Sequence, residues 1–130
     1  MDGIEDRRSS IEHRRSMEER LLTFGANIVD FAGELRRTVQ GRVVLGQLVR
    51  SGTSIGANFE EATAAESRAD FIHKMQLSLK EARETCYWLR LLGKTKFSSI
   101  SQLDMFIDEA LQIRAILTKA VITAKSNLQK

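Results

Sequence analysis

A chain of 130 residues with a net charge of +3, a single cysteine and no proline fits one helical domain. The lone cysteine excludes an intramolecular disulfide, and no apolar run approaches the ~20 residues that cross a bilayer. The excess of 20 basic over 17 acidic side chains is too small to announce a nucleic-acid protein by itself.

Ordinary usage of about 5% would give a chain of this length roughly six prolines. Their absence permits long uninterrupted helices, because proline removes a backbone donor and clashes one turn back. The N-terminus is charged and lacks the apolar segment of a secretory signal, so the cytoplasm is the expected compartment. Residues 1–16 are polar, without sustained apolar periodicity, and read as a flexible extension; the bundle domain is expected over 17–128. Leu21, Phe24, Ile28, Phe31, Leu35 and Val39 recur at steps of three and four, the stripe of a first helix. Gly41 is expected to stop it by taking a left-handed conformation.

A second helix is expected from about Arg42 to Glu66, with Leu45, Leu48, Val49, Ile55, Phe59 and Ala62 on its apolar side. Ser67 and Asp70 resemble a capping box, so a third helix starts at Arg68. Ile72, Met75, Leu79, Ala82, Cys86 and Leu89 form its seam, Gly93 closes it, and a loop runs through Ser99. Ser99 or Ser101 caps a fourth helix carrying Leu103, Ile107, Ala110, Leu117, Val121, Ala124 and Leu128, with Arg114 interrupting the seam. Phe106, Ile113 and Ile116 widen that stripe beyond the needs of one core. Four such helices with short connections predict an all-α, up-down-up-down antiparallel four-helix bundle.

Gly52 and Gly56 stand four apart inside the second helix, where each glycine costs about 1 kcal/mol relative to alanine. No Gly-Lys-Ser/Thr ending and no preceding strand make a phosphate loop of them, so close helix–helix approach is expected. Asp70-Phe-Ile-His73 is the only acid-x-x-His element, and the other histidine, His13, lies in the extension. A two-iron bundle site needs more than this, and no metal or cofactor is expected. No histidine lies at helical spacing from Ser51, Thr53 or Ser54, and Cys86 sits on the core seam, so for Asn58, Glu60 and Glu61 a register-fixing polar network is favoured over acid–base catalysis. Tyr87, Trp88 and Leu91 flank the third seam and suggest a protein interface. Arg36, Arg37, Arg42 and Arg50 cluster around the first helical junction. From Gly93 onward six basic residues face three acidic ones, so the basic surplus lies in the last third.

The run from Gln47 to Ala62, with its Ser51-Gly52-Thr53-Ser54-Ile55-Gly56-Ala57-Asn58 centre, then Ala65 to Lys74, resembles a bacterial bundle family. Leu79 to Thr85, Trp88-Leu89-Arg90-Leu91, Ile116-Leu117 and Thr123-Ala124-Lys125 add to the likeness. This is the family of proteins encoded in intervening sequences of large-subunit ribosomal RNA genes, related to the accessory variability determinant of diversity-generating retroelements. The resemblance spans roughly Met17 to Asn127. It implies a left-handed bundle assembled into a ring, typically a homopentamer, without enzymatic activity. For the retroelement relatives it also implies nucleic-acid binding through a basic outer surface.

The expected function is therefore a non-enzymatic, cytoplasmic homo-oligomer that pairs RNA or DNA phosphates with Arg36, Arg37, Arg42, Arg50, Lys119 and Lys125. The alternative is a protein-interaction scaffold that docks a partner protein.

Overall fold

The computed structural model describes residues 2–35 and 38–128, apart from the side chains of residues 2 and 6. Four α-helices account for nearly all of it: α1 (Asp2–Leu35), α2 (Val39–Thr63), α3 (Arg68–Leu92) and α4 (Ser101–Leu128). A short 3₁₀ turn, Lys96–Ser99, precedes α4. Contacts run in opposite directions along neighbours: Gly56 meets Leu21 while Gly52 meets Ile28, and Ser78 reaches Ile55 while Thr85 reaches Ser51. The molecule is the up-down-up-down bundle that its periodicity predicts.

The glycine stretch is a packing device. A Cβ on Gly56 would lie 3.3 Å from Leu21 Cβ, and one on Gly52 would lie 3.2 Å from Ile28 Cγ2. Across the seam, a Cβ on Gly25 would stand 3.5 Å from Thr53 Cα, so α1 and α2 approach almost backbone to backbone. The α2–α3 seam is knit by hydroxyls instead. Ser78 Oγ donates to Ile55 O at 2.8 Å, and Thr85 Oγ1 lies 3.0 Å from Ser51 Oγ and 2.8 Å from Glu81 O. All three hydroxyls are buried, and each has a partner, as burial of a polar group requires. Asn58 and the adjacent glutamates, expected to supply that polar layer, do not. Asn58 bonds back to Ser54 O at 2.9 Å, while Glu60 and Glu61 are exposed.

Several helix ends differ from expectation. Gly41 does not stop α1; it lies buried in the first turn of α2 and donates to Thr38 Oγ1 at 2.9 Å. A Cβ there would meet that same oxygen at 2.9 Å, so the glycine makes room for the cap. No glycine among the described residues takes a positive φ, and the C-cap Gly93 is right-handed. α2 ends at Thr63 rather than Glu66. Ser67 caps α3 as expected, accepting from Asp70 N at 3.1 Å. α4 starts at Ser101 itself, while Ser99 turns its hydroxyl back to Lys96 O at 3.5 Å.

The core contains Leu21, Phe24, Ile28, Leu45, Leu48, Ile55, Leu79, Ala82, Leu89, Leu103 and Leu117. Ile113 belongs to it as well, and half-buried Phe106 packs edge-on against Phe31 at 4.8 Å and Phe24 at 6.4 Å. The wide stripe of α4 is thus partly used within one bundle. Leu128, expected in the seam, is exposed. The seam between α1 and α4 is the widest, bridged by those rings and by an Arg20–Glu109 ion pair in which Arg20 Nε donates to Oε2 at 3.0 Å.

Candidate nucleic-acid interface

Antiparallel topology sends the basic candidates to different places. Arg36 and Arg37 lie outside the described residues. Arg42 is exposed at the start of α2, the end of the bundle where α3 finishes and α4 begins. Arg50 points across to α3, where it pairs with Glu84 and, at 3.2 Å, with Glu81. Glu84's hydrogen bond raises the Arg50 guanidinium above its ordinary value, and the same bond holds the Glu84 carboxyl below its own. An arginine engaged by two carboxylates has little free charge for a phosphate. Lys119 and Lys125 are exposed near the end of α4, but six residues of helix turn them about 120° apart at ~100° per residue. Among the described residues, the structure does not bring Arg42, Arg50, Lys119 and Lys125 together.

It assembles a different cluster. The first half of α1, the start of α3 and the last turns of α4 meet at the opposite end of the bundle from Arg42. They enclose an open cleft of about 930 Å³. Arg14 from α1, Arg68 from α3 and Lys119 from α4 line it, with His13, Phe71 and Asn127 between them. No acidic side chain lines this cleft among the described residues. Sequence pattern does not single out Arg14 or Arg68, since one lies in the N-terminal extension and the other directly follows the Ser67 cap. No local motif joins them, since they lie 54 positions apart; only the bundle topology does.

Cys86 is buried in the α3 seam, and burial pushes its thiol up, away from a reactive thiolate. His73 is exposed, and no cluster of His, Cys, Asp or Glu suited to a metal occurs among the described residues. No helix among them is long and apolar enough to cross a membrane. Trp88 is half-buried with Nε1 donating to Glu84 Oε1 at 3.2 Å, and the exposed Tyr87 ring packs edge-on against it.

A four-helix bundle tied by glycines at α1–α2 and hydroxyls at α2–α3 defines the class. A family model described as 23S rRNA-intervening sequence protein matches residues 20–119, and the chain belongs to that family. Among solved structures it is similar to a protein of unknown function from the S23 ribosomal protein family of Bacteroides thetaiotaomicron. The two share 38% identity and a TM-score of 0.76, over 83% of this chain and 96% of that one. No curated protein matches the chain.

Proposed function

We propose that the protein is a non-enzymatic homo-oligomer that binds RNA or DNA phosphates through the end cleft, with residues 17–128 as the bundle and 1–16 as an added arm. The observation that carries this reading is the cleft itself, where three cations from three helices converge with no acid among the lining residues. Phosphate contact supplies most sequence-independent affinity, and an arrangement without base-reading geometry fits weak, unselective binding. Lys119 keeps its proposed role, and Lys125 extends the positive end. Arg42 and Arg50 have none.

Self-association rests on the outer face of α1. Leu22 and Val29 are 61% and 45% exposed, with Ala26 and Gly33 beside them and no charge at any of the four positions. A charge-free apolar face is the usual mark of a protein contact. A partner-docking scaffold remains the alternative, supported by the exposed Tyr87 against Trp88. Titrating mixed-sequence RNA and duplex DNA from low to physiological salt tests the main reading, and absence of binding at low salt would overturn it. Co-purifying protein that survives nuclease treatment would favour the scaffold.

A further inference from the structure

The first half of α1 is a helix without a neighbour on one whole face. Glu18 accepts from Thr63 Oγ1 at 3.2 Å, at the C-terminal end of α2. Residues before Ser9 line none of the clefts shared with other helices. The 34 residues of α1 against 25 in α2 make it about 13 Å longer at 1.5 Å per residue. On this arm Ile4 and Ile11 are 63% and 46% exposed, and seven residues bring them to the same side. Arg8 and Arg15 fall on one flank of that stripe at helical spacing and Arg7 on the other, while Glu5 and Glu12 fall further round. The arm is an amphipathic helix whose apolar stripe is flanked by arginines, with its four acids, Asp2, Glu5, Asp6 and Glu12, balancing the four arginines over residues 1–16.

The same chain carries a surface of opposite character. The wide α1–α4 seam opens into a groove of about 680 Å³ with Phe24, Phe31 and Phe106 in its lining. Glu19, Asp30 and Glu34 line it too, and its single basic residue, Arg20, is held by Glu109. In a chain of net charge +3 this is a concentrated acidic patch, which disfavours nucleic acid. Phe24 and Phe31 close its floor as buried core residues, and its reachable apolar surface comes from half-buried Phe106 and exposed Met105 on α4.

We propose that the arm of one copy docks in the α1–α4 groove of a second copy, Ile4 and Ile11 against Met105 and Phe106 and Arg8 and Arg15 against the acidic rim. This deepens, and rests on, the self-association reading. Arm and groove are different surfaces, so the contact is head-to-tail and repeats round a ring or along a chain.

Cross-linking between distinguishable chains tests it. With Cys86 replaced by alanine in every chain, I11C protein is mixed with M105C protein, Met105 lying in the groove, and oxidised. The control mixes I11C with I122C, whose residue is exposed on α4 outside the groove. The I11C–M105C product should exceed the control about tenfold. The charge reversal E19K/E34K should remove that excess, and adding R8E/R15E to the arm should restore it, since charged pairs fix register and partner choice. A monomer mass by light scattering at micromolar concentration would overturn both the self-association reading and this one. An oligomer whose I11C–M105C product matches the control would leave self-association standing and overturn the arm exchange. So would such an oligomer whose arm is instead captured by anionic vesicles.

Discussion

At the residue scale, the glycines separate two physical effects. Gly46 has nothing within 4 Å of a built Cβ, so Gly46→Ala should gain about 0.5–1 kcal/mol of helix propensity. Gly56→Ala gains the same propensity but presses its methyl onto Leu21 at 3.3 Å, with backbone at 3.5 Å behind it. Overpacking costs about 1–3 kcal/mol, and urea unfolding should find the variant less stable by about 1 kcal/mol. Thr85→Val should also cost about 1 kcal/mol, because Ser51 keeps its bond to Leu48 O when its partner goes. The Arg50–Glu84 pair gives a pH dependence of known sign. Its effect on Glu84 is to lower the folded-state value, so the stabilisation is present above the ordinary carboxylate range. It is lost as pH falls through the lowered value. Glu84→Gln should therefore cost about 0.5 kcal/mol at neutral pH, as a largely exposed pair does, and the difference from the parent should shrink in acid. The tight glycines were legible because a helix interior tolerates them only for a packing reason. Ser78 and Thr85 were not, since hydroxyls one position from an apolar seam look the same whether they face solvent or a neighbour.

At the scale of elements, periodicity located all four helices because their apolar stripes are long and regular. Their ends were harder to read. The expected glycine stop at Gly41 failed because a threonine three residues earlier offered the backbone a cap, and the glycine serves that cap. Thr38→Ala should cost about 1 kcal/mol, measured by chemical unfolding. Gly41→Ala should be destabilising as well, through the 2.9 Å approach to the cap oxygen. The helical start of α1 was hidden for a different reason. Ile4 and Ile11 are spaced seven apart with arginines between them, and so sparse a stripe falls below what periodicity detects in isolation.

At the scale of the whole molecule, charge was the least legible property. The basic surplus of the last third lies partly on α4, whereas Arg50, near the first junction in sequence, turns to its carboxylates on α3. The end cleft draws Arg14, Arg68 and Lys119 from three helices. Counting charges along a chain does not reveal such convergence; fixing the antiparallel topology first does. The acidic α1–α4 groove is likewise invisible in a chain with a small positive total. The bundle thus carries two surfaces of opposite sign, a basic end cleft that α1 helps to line and an acidic groove between α1 and α4.

The salt dependence of RNA binding tests the central claim most directly. Fluorescence anisotropy with a mixed-sequence single-stranded RNA compares the parent with R68E/K119E, two substitutions outside the arm and the core. The parent should bind, and its slope of log affinity against log salt should exceed the variant's by about 1.4 in magnitude, near 0.7 for each lost phosphate contact. Equal affinity and equal slope for the two proteins would contradict the assignment of the cleft.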